Sequence, residues 1–408
     1  MFLNDEEKSM LGGDHGEAVR WAIKHQISVG NFFDAKNFVP VSQVHMMVDP
    51  ESVGEGGIIF LEKLANLGAK VRVPMITDPR GVDLNYYSPL GQTEEMANIE
   101  RRTVKACSSM GILMTNTCVN YQTIMPPVIG EHLAYGDTGV VIYSNSVCGA
   151  RSNFEGGPSA LAAGLTGRTP KYGLHLDINR KPTQRFIIKK QPQNLTEWGI
   201  LGAIIGQKCN SYWEVPIIEG INFIPSSDEI KHFGAAMASY GSTPLFHIYG
   251  ITPEAKNLEI KDISKLDRFE ILEDDVFSFK SKFGRRGDVV DVVVFAAPQL
   301  SIIEIQQLSS LCENKNFKIP VIVCTSPQVY SDALRMNFVQ KIELAGAKVL
   351  EGTCFYNQYA REIGEANNWT YLLSNSAKIV NILGGYGYKP ALASMEACVE
   401  SAIHGKII

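Results

Sequence analysis

Asp288-Val-Val-Asp-Val-Val-Val-Phe-Ala-Ala-Pro-Gln299 begins a run of β-branched residues that ends abruptly at a proline. Three more such runs follow, Ile319–Thr325, Ala347–Glu351 and Thr370–Leu373, with helical spacing between them. Strands alternating with helices of this length predict right-handed βαβ units and a mostly parallel sheet. A C-terminal α/β domain is therefore expected over 286–408, with a boundary near residue 285. Ligands of such sheets bind beyond the carboxyl ends of the strands. Three polar segments fall there: Ala297–Pro298–Gln299, Thr353–Cys354 and Ser374–Asn375–Ser376.

Upstream, residues 1–285 carry an α/β rhythm expected to form two subdomains. Asp5–Glu7 supplies an acidic first turn and Glu17–Gln26 an amphipathic helix. Leu61–Leu67 reads as a helix closed by Gly68, Lys70–Met75 as a strand, and Asp78-Pro-Arg-Gly81 as a turn. Gly139–Ser144 reads as a strand, Asn145–Pro158 as a long polar loop and Ser159–Leu165 as a helix. Loops of that length and polarity usually carry function.

The chain has 408 residues, 45% hydrophobic and 20% charged, with a net charge of −5. This composition supports a large core and two or three domains, and offers no global basic field for nucleic acid or an anionic membrane. The longest apolar candidate, Ile200–Ile205, is far shorter than a membrane span. The acidic N-terminus lacks the basic and apolar regions of a secretory signal, so a cytoplasmic protein is expected. Eight cysteines at long spacings match buried thiols or metal ligands of a reducing compartment.

The densest polar cluster is Tyr143-Ser-Asn-Ser-Val-Cys-Gly-Ala-Arg-Ser-Asn-Phe-Glu-Gly-Gly-Pro158. Arg151 offers a planar fork to a carboxylate or phosphate, while Asn145, Ser146 and Ser152 supply hydrogen bonds. The alternative reading of the same residues is an ordinary capped loop with a structural Arg151–Glu155 pair. The segment lacks the GxxxxGK[ST] spacing of a nucleotide loop. Cys118 and Cys354 each follow an apolar segment, an arrangement that suits iron–sulfur ligation or simply two core thiols. His45 and His175 stand beside polar clusters. Ser374-Asn-Ser-Ala-Lys378 reads either as an anion site at a helix N-terminus or as a plain helix cap.

Taken together, these segments resemble the large, catalytic subunit of the aconitase X family across essentially the whole chain. The resemblance rests on Gly13-Asp-His-Gly-Glu-Ala-Val19, Pro40-Val-Ser-Gln-Val-His45, Lys70-Val-Arg-Val-Pro74, Thr117-Cys118, Gly130-Glu-His-Leu133, Ser144-Asn-Ser-Val-Cys-Gly-Ala-Arg151 and Glu155-Gly-Gly-Pro-Ser-Ala-Leu161. It continues in Leu165-Thr-Gly-Arg-Thr-Pro170, His175-Leu-Asp-Ile-Asn-Arg180, Leu245-Phe-His-Ile-Tyr-Gly-Ile-Thr-Pro-Glu-Ala255 and Ser374-Asn-Ser-Ala-Lys378.

This resemblance implies an aconitase-like multi-domain α/β architecture and a hydro-lyase that uses an iron–sulfur cluster, of the 2Fe–2S or 4Fe–4S type, as Lewis acid. Members dehydrate cis-3-hydroxy-L-proline, giving Δ1-pyrroline-2-carboxylate, or mevalonate 5-phosphate. They pair the large subunit with a small swivelling domain. No swivel-like segment precedes the match, so a separate small subunit is expected, bringing part of the site and a candidate serine base.

Cys118 and Cys354 match cluster positions in the family. Where many members have Gly-Cys-Pro-His, this chain reads Ala296-Ala297-Pro298-Gln299, and Cys148 stands where an apolar residue is usual. Cys118, Cys148 and Cys354 are therefore the expected metal ligands. Ser146, Arg151 and Glu155 are the expected catalytic group. His45, Asn145, Arg151, Ser152, Ser374, Asn375 and Lys378 are the expected substrate contacts, with Arg151 on the carboxylate. The missing Gly-Cys-Pro-His favours cis-3-hydroxy-L-proline over the phosphate, although Arg151, Arg168, Arg180 and Lys378 offer donors for a phosphate. A non-catalytic iron–sulfur or scaffold protein is the alternative class, and the intact Arg151 loop argues against it.

Overall fold

In the computed structural model, which describes residues 1–256 and 258–408, the C-terminal sheet has five strands, all parallel. Their order is Ala347–Glu351, Val321–Thr325, Val292–Leu300, Tyr371–Ser374 and Lys389–Leu392. All nine residues of Val292–Leu300 are buried, as a central strand covered on both faces requires. Strand order reverses between Val292–Leu300 and Tyr371–Ser374, and a crevice opens at such a switch point. The ladder to Val321–Thr325 breaks between Phe295 and Leu300, where Ala297 takes φ 53°. The chain thus leaves the sheet at Ala297–Gln299, beside the switch point.

A second parallel sheet, in the order Met75–Thr77, Val44–Met46, Ala134–Tyr135, lies in the N-terminal third. Of the expected strand Lys70–Met75 only Met75 belongs to it. Val71 and Arg72 give their N–H groups to the Met110 and Gly164 carbonyls, outside any ladder. The helix expected at Leu61–Leu67 begins earlier and spans Pro50–Asn66, with Asp49 as its cap and Pro50 in its first turn.

Gly139–Ser144 is not a strand. It lies in the helix Thr138–Ser146, whose residues from Gly139 on are all buried and whose N-terminus is capped by Asp137. A short apolar run buried all round has no amphipathic period, so alternation could not separate the two states.

A third parallel sheet, His247–Ile248, Pro216–Glu219, Gln184–Ile188 and Asp267–Ile271, packs beside the crossed helices Leu195–Cys209 and Ser227–Gly241. Their backbones touch: a Cβ on Gly202 would lie 2.0 Å from the Phe233 carbonyl oxygen, and one on Gly206 2.4 Å from that of Met237. The apolar segment Ile200–Ile205 is thus the core of a buried helix. Among the described residues no helix is long and apolar enough to cross a membrane.

Candidate active site

Each of the three short strands of the N-terminal sheet is followed by an aspartate. Val44–Met46 leads to Asp49, Met75–Thr77 to Asp78 and Ala134–Tyr135 to Asp137. Across from them stand the carboxyl ends of the C-terminal strands. The two sets meet: Asn357 Nδ2 lies 3.4 Å from carboxylate oxygens of both Asp49 and Asp78, and Lys378 Nζ lies 3.3 Å from Asp137 Oδ1. Asp49, Asp78, Asp137, His45 and Lys378 are all buried.

Local structure explains each placement. Asp137 caps its helix, with Oδ2 accepting from Gly139 N at 2.8 Å and Val140 N at 3.1 Å, which leaves Oδ1 to Lys378 and, at 3.5 Å, to the Tyr356 hydroxyl. Lys378 sits in the first turn of the helix Ala377–Leu383, capped by Ser376, whose hydroxyl also donates to the Ala297 carbonyl at 2.5 Å. Its Nζ lies 5.4 Å from the Tyr356 ring centre. Cys354, Tyr356 and Asn357 reach the centre together from the turn beginning at Cys354.

The electrostatics push the two central carboxylates apart. Burial, reinforced by Asp137, holds the Asp78 carboxyl well above the usual carboxylate range. Burial opposes ionisation of Asp137 too, but the Lys378 ammonium overcomes it and the group lies below its ordinary value. Burial raises Asp49 to about 6. Lys378 stays above its ordinary value, because Asp137 and the nearby thiols outweigh its burial. Burial lowers His45. Its Nε2 lies 2.9 Å from the Thr117 carbonyl oxygen, an acceptor only, so that nitrogen carries the proton. Nδ1 then bears a free lone pair, buried and without a partner; Asp78 Oδ1 makes no hydrogen bond and lies 3.6 Å from His45 Nε2. The centre thus combines an imidazole with a free Nδ1 lone pair, a carboxyl held towards its protonated form and one ammonium.

Of the residues expected from sequence, His45, Cys118, Cys354 and Lys378 come together here, and Ser374 and Asn375 lead into the Lys378 helix. Cys118 and Cys354 are hydrogen-bonding neighbours, a contact that together with burial raises the Cys118 thiol well above its ordinary value.

Cys148 is not with them. It follows the far end of Thr138–Ser146, a nine-residue helix of about 13 Å, whose near end is Asp137. Its surroundings are Glu131, Tyr135 and Tyr143. Arg151 lies on that side as well, paired with Asp177 Oδ1 at 2.5 Å and facing the His175 carbonyl. The other residues of its loop hold backbone. Asn145 Nδ2 donates to the Ser152 and Pro244 carbonyls, Ser146 Oγ accepts from Phe246 N, and Ser152 Oγ accepts from Tyr135 N.

Glu155 does not orient Arg151; its Oε1 accepts from the Thr169 hydroxyl at 2.9 Å. Burial pushes Glu155 up to about 7 from an ordinary 4.5, so the folded chain keeps this proton where the unfolded chain has lost it, and stability falls as pH rises through that window. Glu155→Gln keeps the acceptor and removes the titration. It is expected to melt higher than wild type at pH 8 and level with it at pH 4, and a gain independent of pH would contradict the assignment.

Asp49, Asp78, Asp137, Tyr356 and Asn357 were missed from sequence. The available signal was an acidic residue shortly after each short apolar strand.

Comparison with known proteins gives one family. Models of the aconitase X first, second and third domains match residues 1–178, 182–279 and 290–404. The phosphomevalonate dehydratase large subunit of Methanothermobacter thermautotrophicus is 32% identical over 406 residues, covering 98% of this chain and 96% of the relative. The cis-3-hydroxy-L-proline dehydratase of Hypocrea jecorina is 28% identical, over 99% of this chain and 69% of that longer protein. The crystal structure of Thermococcus kodakaraensis aconitase X in its holo form superposes with a TM-score of 0.89 at 28% identity, over 98% of this chain and 100% of that one.

Aconitase-like dehydratases generally use an iron–sulfur cluster. The donor set here does not fit one held by three thiolates. Cys118 and Cys354 are apposed, Ala297 offers no donor, and among the described residues no three His, Cys, Asp or Glu side chains are grouped to hold a metal ion.

Proposed function

This chain belongs to the aconitase X family of dehydratases, and from that premise we propose that it dehydrates cis-3-hydroxy-L-proline in the cytoplasm, working with a small subunit. The observation that carries the choice of substrate is the charge of the centre. The centre holds three buried aspartates and one ammonium, which pairs with Asp137, an environment suited to a small zwitterion. None of the guanidinium groups that a phosphate would recruit pairs with a residue of the centre: Arg151 is held by Asp177, Arg168 by Glu6 and Glu7, Arg180 by Glu254.

In this reading Lys378 receives the substrate carboxylate and the aspartates receive its ammonium. His45 Nδ1 takes the proton from the carbon bearing the carboxylate. Asp78 gives its proton to the hydroxyl leaving the adjacent carbon, so water departs and a double bond forms. The enamine product then tautomerises to Δ1-pyrroline-2-carboxylate. A carboxyl whose pKa is raised beside an imidazole whose pKa is lowered, as Asp78 and His45 are here, suits an acid working with a base.

The names of the archaeal relatives, large subunits, support a partner, and the greater length of the Hypocrea relative is consistent with a fused one. Eight free cysteines suit a reducing compartment. Those same archaeal names favour mevalonate 5-phosphate as the second reading. Comparing kcat/KM for the two compounds decides between them. A preference of about 100-fold or more for the hydroxyproline is expected, and a preference for the phosphate would overturn the substrate assignment.

A further inference from the structure

We propose that this chain does not build an iron–sulfur cluster on three of its own cysteines, and that Gln299 fastens together the two loops carrying the apposed thiols Cys118 and Cys354. The inference concerns the site assigned above and rests on that assignment. Gln299 is fully buried, two residues after Ala297 and beside the switch point of the C-terminal sheet.

All of its hydrogen-bonding groups are engaged. Its backbone N–H points at Cys118 Sγ at 3.4 Å, and its Oε1 accepts from Cys118 N at 3.2 Å. Nε2 faces three carbonyl oxygens, Asn116 at 3.2 Å, Thr325 at 3.2 Å and Thr353 at 3.0 Å. Asn116 belongs to the Cys118 loop and Thr353 immediately precedes Cys354. One amide therefore spans both thiol-bearing loops and a strand end between them. Its own carbonyl accepts from Lys231 Nζ at 3.3 Å, and Lys231 is in turn locked to Glu304 and Asp228.

An inorganic core held by three thiolates needs a third sulfur facing the same space. Ala297 has none, and Cys148 lies beyond the helix Thr138–Ser146. Cys324 is turned toward the Thr353 hydroxyl and the Gln358 amide, each at 4.0 Å. Drawing another thiol in would break buried hydrogen bonds of Gln299 with no replacement in view, and buried polar groups are rarely left so.

The test is anaerobic reconstitution of the full-length protein with ferrous iron and sulfide, followed by desalting and assay of iron and acid-labile sulfide. Wild type is expected to retain neither in cluster proportion. Ala297→Cys adds a sulfur where a Cβ already stands at φ 53°, so it brings no new backbone strain, and is expected to retain several-fold more of both. Wild type holding equimolar iron and sulfide, lost in Cys118→Ser or Cys354→Ser, would overturn the inference even if Ala297→Cys failed to fold. For Gln299→Ala, the rate at which Cys118 and Cys354 react with a thiol reagent should rise about tenfold or more as the loops loosen; an unchanged rate would remove Gln299 from the fastening role. Metal content and thiol reactivity are read separately from turnover, so failure of the hydroxyproline assay counts against the proposed function and not against this inference.

Discussion

Lys378→Met is expected to lower turnover by about a thousandfold, the scale on which loss of a charged group aimed at the reacting centre is felt. Lys378 is the cation that keeps Asp137 ionised despite complete burial. Methionine has similar length and no charge, so Asp137 is left as an uncompensated buried anion. Breaking such a pair from one side costs about 3–5 kcal/mol.

The sign with pH follows from the direction of the shift. The Asp137 pKa is depressed in the folded wild type, so its stabilising contribution is present above the unfolded value and fades as pH falls through the depressed one. In the variant the depression is gone and the carboxyl takes up a proton more readily. The deficit against wild type is therefore largest near neutrality and shrinks on acidification. Urea unfolding at pH 7 and pH 5 measures it. A variant with near-normal kcat, or with a deficit that grows on acidification, would remove Lys378 from this role.

Asp78→Asn is expected to separate activity from stability. Burial and the neighbouring Asp137 hold the Asp78 carboxyl well above its ordinary value, so folding favours its protonated form. A carboxyl with a raised pKa subtracts stability as pH rises from its unfolded value towards the folded one. Asparagine is nearly isosteric, keeps an oxygen for the Asn357 amide at 3.4 Å and cannot ionise. The variant should therefore match or exceed wild type in stability at pH 8, with the gain vanishing towards pH 4. Turnover should fall by about a hundredfold to ten-thousandfold, the usual contribution of a general acid. Unimpaired turnover would dismiss Asp78 as the acid, and a loss of stability greatest at high pH would mean that it is ionised in the native protein.

The two halves of the chain were unequally legible in the sequence, for physical reasons. Ala347–Glu351 is a strand with the expected bounds, and its parallel neighbours follow from β-branched runs separated by helices. The fifth strand, Lys389–Leu392, carries a proline and no β-branched residue, so nothing marked it. The strands of the N-terminal sheet are two or three residues long, too short for any periodicity to show. Their aspartates were therefore invisible as a set: Asp78 reads as part of a turn before its proline, Asp49 stands alone before Pro50, and Asp137 precedes a run mistaken for a strand.

Cys148 and Arg151 were expected in the site on other grounds, the missing third cysteine and the polar density of the loop, and the helix explains why they are not there. An extended segment ending at Ser144 would have brought its outgoing loop to a sheet edge. The helix instead presents its N-terminal cap to the centre and sends the loop away. The polar density of Asn145–Pro158 drew attention for function, yet its side chains mostly satisfy buried backbone. Cys118, Cys354, His45 and Lys378 were found because each lies in or just beyond an apolar segment, at the carboxyl end of a sheet or in the turns that face it.

The most direct test is a crystal structure of Asp78→Asn, with its small subunit, bound to cis-3-hydroxy-L-proline. The account predicts the ligand between the two sheets, its carboxylate within hydrogen-bonding distance of Lys378 Nζ and its hydroxyl beside residue 78. A ligand carboxylate seated on Arg151, at the far end of the helix Thr138–Ser146, would contradict it.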